Sequence, residues 1–131
     1  MKSIFFISFL LLTVTFTLTP QSNQTKEKQE LKPKITFVEL GSVNCIPCKK
    51  MQPVMKAIEQ KYGDNVKVLF YDVWTELQKP YAKKYGIRLI PTQVFLDENG
   101  KEFFRHEGFY PEEEIHKIFK QRGIIPTQIG G

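Results

Sequence analysis

Cys45-Ile46-Pro47-Cys48 stands where one hydrophobic rhythm gives way to another, and that junction constrains the fold more than any other part of the chain. Before it, Ile35 to Leu40 (Ile-Thr-Phe-Val-Glu-Leu) is a short, mostly apolar run closed by Gly41-Ser42. That pattern suits a strand buried on both faces in a parallel sheet. After it, Met51, Val54, Met55, Ile58 and Tyr62 recur at three- and four-residue spacing, which predicts a helix stopped by Gly63. Pro53 falls inside that helix and is expected to kink it, because it has no N–H for the backbone ladder. The two cysteines are the only ones in the chain. Two incidental core thiols would fit the pair alone. A redox dithiol fits its place better: one helical turn brings both sulfurs within bonding distance, and the helix N-terminus favours a thiolate.

Further along, Asn65 to Val73 carries Val66, Val68, Leu69, Phe70 and Tyr71 and reads as a second strand. A helix with Pro80 in its first turn follows and ends near Tyr85, with Gly86 as its stop. Ile87 to Pro91 is a connector, Thr92 to Leu96 a third strand, Asp97-Glu98-Asn99-Gly100 a turn, and Lys101 to His106 the returning strand of a hairpin. Pro111 at the first helical position, followed by three glutamates, opens a last helix with Ile115, Ile118 and Phe119 facing inward and Gly123 at its end. The order β-α-β-α-β-β-α, with a crossover between the first two strands and a later hairpin, predicts an α/β fold: a mixed sheet with helices on both faces.

Residues 1–20 have a different character. Met1-Lys2-Ser3 is a short positive start, and Ile4 to Leu18 is apolar and threonine-rich, the layout of a signal peptide. The run is short for a spanning helix, which needs about 20 apolar residues. Pro20 follows the best small-residue cleavage positions, Thr17 and Thr19, so an uncleaved anchor through residues 4–18 is the alternative. On either reading the domain is exported. Residues 21–34 are polar and charged without periodicity and read as a tether; 35–125 form the domain and 126–131 a tail. Export sharpens the reading of the cysteines. Outside the cytoplasm a stray pair oxidises into a staple, yet a staple across a two-residue loop removes little chain entropy. Reactivity is the better motive.

The net charge of +5 comes from 19 basic and 14 acidic residues scattered among one another, Lys83-Lys84 being placed opposite Glu112-Glu113-Glu114. No basic stripe interleaved with aromatics appears, so no nucleic-acid partner is expected. No metal is expected either. Zinc wants four ligands, and only His106 and His116 are available beside the cysteines. Haem attachment needs His after the second cysteine, where Lys49 stands. A soft copper(I) set of Cys45, Cys48, Met51 and Met55 is conceivable, but methionines at helical spacing are more often core.

The element order, with a C-x-x-C at the first strand-to-helix junction, resembles the thioredoxin superfamily over about Ile35 to Ile124. Cys45-Ile46-Pro47-Cys48-Lys49 looks like that family's Cys-Gly-Pro-Cys-Lys, and Pro53 stands where thioredoxins place a helix proline. Tyr85-Gly86-Ile87-Arg88-Leu89-Ile90-Pro91-Thr92 is similar to the segment leading into its cis-proline, and Asn99-Gly100-Lys101 and Gly108 match its hairpin. The chain departs at Asn44, where thioredoxins usually have Trp, and at Glu39, where many have Asp. The family's opening strand and helix find no match in Gln21 to Lys34, which implies a trimmed form.

The resemblance implies roles. Cys45, at the helix start, would attack a substrate disulfide, and Cys48, one turn inward, would resolve the mixed disulfide. Glu39 would take the proton of Cys48; if buried in its apolar strand its pKa should rise, whereas at a sheet edge its carboxylate would simply lie in water. Pro91 would be cis and face the dithiol, leaving the Ile90 backbone free for an extended substrate, with Ile46 and Pro47 also touching it; an ordinary strand-start proline is the plainer alternative. Tyr71 and Trp74 are expected to pack rather than to flank the site. Ile-Pro between the cysteines looks more like the reducing members' Gly-Pro than the oxidants' Pro-His, and no dimerisation domain of an isomerase is apparent. The expectation is therefore a monomeric, exported reductase of protein disulfides in a bacterial periplasm. It would need no cofactor beyond its own Cys45–Cys48 disulfide and would be recharged by a membrane thiol carrier, in cytochrome c maturation or disulfide repair. A disulfide-donating oxidant, or a non-catalytic binding module or copper carrier, are the alternatives.

Overall fold

Four strands and three α-helices are laid out in a computed structural model that describes residues 32–127. Strand β1 (Ile35–Gly41) leads into helix α1 (Ile46–Tyr62), a single 3₁₀ turn at Gly63–Asn65 and strand β2 (Val66–Asp72). Helix α2 (Pro80–Lys84), strands β3 (Thr92–Asp97) and β4 (Glu102–Glu107), and helix α3 (Glu112–Gln121) follow. The sheet order is β2-β1-β3-β4. β1 pairs parallel to β2 (Ile35 with Val66) and antiparallel to β3 (Leu40 with Thr92), and β3 pairs antiparallel to β4. The mixed sheet expected from the element order is thus observed. The expected leader or anchor at 1–20 and most of the 21–34 tether lie outside the described residues. Among the described residues no helix is long and apolar enough to cross a membrane.

Alternation along β1 divides the core. Ile35 and Phe37 face α1 and α3 and pack with Met51, Met55, Ile58, Tyr62, Phe95, Ile115 and Phe119; the Phe37 and Phe95 rings stack with centroids 4.7 Å apart. Val38 and Leu40 face the other way, with Val94, toward Tyr81 and Ala82 of α2 and Tyr85 just beyond it. Each fully buried aliphatic or aromatic side chain here contributes about 1.5–3 kcal/mol, which holds α1 firmly against β1. Helices on both faces follow directly.

α1 runs through Pro53 as one helix, with the proline on its exposed side. Two local expectations shift. Pro111 is the N-cap, in extended conformation, and Glu112 is the first helical residue. Lys83 and Lys84 do not meet the glutamates of α3, because α2 and α3 lie on opposite faces of the sheet. Glu112 pairs instead with Lys61 and Glu114 with Lys117, while Lys84 sits over the rings of Tyr81 and Tyr85.

Candidate active site

Cys45 is the N-cap of α1, with extended backbone (φ −92°, ψ 124°), and Cys48 lies in the first turn. The two are joined in a disulfide with Cα atoms 5.2 Å apart. Cys48 is fully buried, and Cys45 shows 8% of its surface, so only the first sulfur borders solvent. The loop that presents them is held by Ser42: its carbonyl accepts from the Cys45 N–H (3.2 Å) and its Oγ from the Asn44 N–H (3.2 Å). Pro47 has no N–H, so the unpaired donors at this helix end belong to Ile46 and Cys48. No acid occupies the first turn to oppose the helix dipole.

Glu39 lies on the face of β1 that looks toward α1, two residues before Gly41. A Cβ at Gly41 would stand 3.2 Å from both Cβ and Sγ of Cys48, so Cys48 rests directly on the strand at the next same-face position after Glu39. Glu39 is fully buried, not at an edge in water. Neither of its oxygens has a hydrogen-bond partner among the described residues, and the same holds for the side-chain amide of Gln93, its cross-strand neighbour. Loss of water pushes the Glu39 carboxyl up to about 8, against a smaller opposing pull from the Gln93 amide.

The Ile90–Pro91 peptide is cis. Pro91 immediately precedes the Thr92 that pairs with Leu40, so it stands beside the end of β1 from which the cysteine loop departs. Its carbonyl accepts from the N–H of Gly108 (2.7 Å), whose φ of 93° places it in the left-handed region open chiefly to glycine. Among the described residues neither backbone group of Ile90 is hydrogen-bonded. Cys45, Cys48, Glu39 and Pro91 are thus brought together at one end of the sheet, with Ile46 and Pro47 exposed at its rim.

Topology brings further apolar residues to this end of the sheet, beyond the Ile46 expected there from the sequence. The loops after β1, β2 and β4 and the loop before β3 all emerge at this same end. With Ile46, the first residue of α1, they carry Val43, Trp74, Leu77, Leu89 and Phe109, together six of the seven large hydrophobic residues that are exposed among the described ones. Tyr71 packs as expected, stacked on Tyr81, but Trp74 is 61% exposed and does not. Asp72 ties two of these loops together: its carboxylate accepts from the N–H of Val43 (3.2 Å) and of Trp74 (3.1 Å). Strand directions, read together with the apolar loop residues, were the available signal, since crevices in such sheets form beyond strand ends. The copper alternative loses its methionines: Met51 and Met55 are core residues, and the Met51 sulfur accepts from the Tyr110 N–H. His106 and His116 are engaged separately, the first stacked on Tyr110, the second bonded to Tyr62 and Glu112.

A dithiol at the first strand-to-helix junction of a mixed sheet, beside a cis-proline that opens the adjoining strand, defines a thioredoxin-like fold and redox site. The sequence model of the thioredoxin-like domain family matches residues 21–123, and the chain belongs to that family. Thioredoxin of Bacillus subtilis (strain 168) is 34% identical over 74 residues, covering 56% of this chain and 68% of that protein. Chloroplastic thioredoxin Y of Oryza sativa subsp. japonica is 33% identical over 89 residues; the match takes in 68% of this chain but spans about half of that relative (49%). Among solved structures, thioredoxin NaTrxh from Nicotiana alata superposes with a TM-score of 0.58 at 31% identity, over 73% of this chain and 77% of that one. Family and C-x-x-C pair together support thiol-disulfide oxidoreductase chemistry.

Proposed function

We propose that this chain is an exported thiol-disulfide oxidoreductase that reduces protein disulfides through Cys45 and Cys48. The observation that carries the reading is the Cys45–Cys48 pair at the start of α1, one sulfur bordering solvent and the other buried against the strand that carries Glu39. In the reduced state the Cys45 thiolate, favoured by the helix dipole, attacks one sulfur of a substrate disulfide. A Cys45–substrate bond forms, the substrate S–S bond breaks, and the other substrate sulfur leaves and takes a proton. Cys48 then gives its proton to ionised Glu39 and attacks the Cys45 sulfur. The internal disulfide closes and the second substrate thiolate departs, so two electrons have passed to the substrate. Burial, by holding the Glu39 carboxyl up to about 8, makes its ionised form a stronger proton acceptor than an ordinary carboxylate.

The exposed apolar rim favours a polypeptide disulfide over a small one, because a chain bonded to Cys45 would lie across Val43, Ile46, Trp74 and Phe109. The unpaired Ile90 backbone offers that chain hydrogen bonds in extended form. Export is supported by Met1-Lys2-Ser3 and the apolar stretch to Leu18, and a bacterial periplasm is the compartment proposed. In an oxidising compartment the disulfide needs recharging, and a membrane thiol carrier is the proposed donor. No cofactor beyond the disulfide enters the scheme, and the protein is proposed to act as a monomer. Reduction of wrong disulfides, or of disulfides that must be opened to free the thiols used in cytochrome c maturation, is the proposed setting.

Equilibration with glutathione buffers tests this. A potential near thioredoxin's, about −270 mV, supports the reductase, and one near about −120 mV makes the protein a disulfide donor. No exchange of electrons at all, or full activity in Cys45→Ser, turns it into a binding module.

A further inference from the structure

Gly41 is the last residue of β1 and is buried, yet its φ lies outside the left-handed region, so no backbone conformation requires a glycine there. What requires it is space. An ideal Cβ at this position would meet Cys48 Cβ at 3.2 Å, Cys48 Sγ at 3.2 Å and Phe70 Cε2 at 3.3 Å, all closer than ordinary van der Waals contact. Cys48 cannot retreat freely, because it is fully buried and α1 is anchored behind it by Met51, Val54 and Met55.

We propose that Gly41 is a positioning residue that sets the redox poise of the dithiol, by leaving open the space into which the disulfide holds the Cys48 sulfur. The two close contacts with Cys48 act differently in the two redox states. Contact with Cβ is the same whether the cysteine is oxidised or reduced, since Cβ moves with the helix, and it costs only stability. Contact with Sγ depends on the state. In the disulfide the sulfur is tethered to Cys45 and cannot turn about χ1. In the dithiol that bond is gone, and the sulfur can rotate to another staggered position. A methyl at position 41 therefore presses harder on the oxidised form and shifts the couple toward the dithiol. The inference rests on the redox cycling of Cys45 and Cys48 proposed above, and it names the residue that tunes it.

The test is Gly41→Ala in the full chain, equilibrated with glutathione and glutathione disulfide. Oxidation of the dithiol converts one glutathione disulfide into two glutathiones. The expected result is about a tenfold smaller equilibrium constant for forming the Cys45–Cys48 disulfide, a potential about 30 mV less negative. Urea unfolding of both redox forms closes a thermodynamic cycle: the oxidised form should lose more stability than the reduced form, by that same factor. Should Ala alone prevent folding, Gly41→Ala with Phe70→Leu carries the same measurement, because the ring edge is relieved while both contacts with Cys48 remain. An unchanged potential with both forms destabilised equally leaves Gly41 a packing residue, and a more negative potential with the reduced form destabilised more reverses the sign; either overturns the proposal. Failure of the unaltered protein to exchange with glutathione would instead sink the redox reading itself.

Discussion

Replacing Glu39 with Gln removes one ionisable group from the middle of β1 while nearly keeping its shape, so it isolates the cost of a carboxyl buried without a partner. The folded-state pKa is raised from 4.5 to about 8 by burial. Below pH 4.5 the carboxyl is protonated in both folded and unfolded chains and costs nothing through ionisation. Between 4.5 and about 8 the unfolded chain releases its proton while the folded protein keeps it, so stability falls by about 1.4 kcal/mol for each pH unit. The loss reaches about 3 kcal/mol at pH 7. It levels off near about 5 kcal/mol above pH 8, once the folded carboxyl has ionised too. Gln at position 39 has no such dependence. In oxidised protein the cysteines are tied in the disulfide and do not titrate, so the difference between variant and wild type reports Glu39 alone. The assay is urea unfolding of both oxidised proteins from pH 4 to 9. The two stability curves should diverge steadily from about pH 4.5, with the variant gaining on the wild type, and run parallel above about pH 8. Curves parallel throughout would mean that Glu39 is already ionised in the folded protein at pH 5, and the proton-accepting role would go with it.

The same Glu39→Gln change should slow turnover on a protein disulfide about a hundredfold near neutral pH, the low end of what a positioned proton acceptor contributes. Stopped-flow measurement of closure of the internal disulfide will show whether the loss lies in that step. Cys48→Ser should accumulate a covalent adduct through Cys45, visible as added mass that thiol reductants remove, whereas Cys45→Ser should accumulate none. Trp74→Ala should raise KM for a protein disulfide several-fold and leave reduction of a small disulfide and the potential unchanged; equal effects on both substrates would remove Trp74 from the docking rim. Asp72→Ala strips the acceptor from the Val43 and Trp74 N–H groups, and a loss of about 1–3 kcal/mol in urea unfolding is expected.

Much of this protein could be read locally, because local rules governed it. Met51 to Tyr62 recur at helical spacing, and that spacing is a property of the chain itself; α1 therefore appears where the periodicity placed it. Cys45 and Cys48 stand at the helix start because the chain turns from strand to helix there, and the Ile90–Pro91 segment lies beside them because Thr92 pairs with Leu40. The helix end at Gly63 followed equally from the residue's tolerance of positive φ.

What depended on distant residues was not legible in this way. Trp74 looks like any core tryptophan in sequence, and only the common direction of four loops leaves it exposed beside Val43 and Phe109. Asp72 acts through backbone N–H groups of two different loops, one of them 29 residues away. The pairing of Glu112 with Lys61 rather than with Lys83 or Lys84 required knowing which face of the sheet each helix covers. Gly41 shows the division most sharply. Its sequence context announces a strand end, whereas its reason for being glycine is a sulfur on the following helix, 3.2 Å from where a side chain would begin. Periodicity and backbone preference belong to neighbouring residues and travel with the chain; close contact and burial belong to pairs that only the folded sheet brings together.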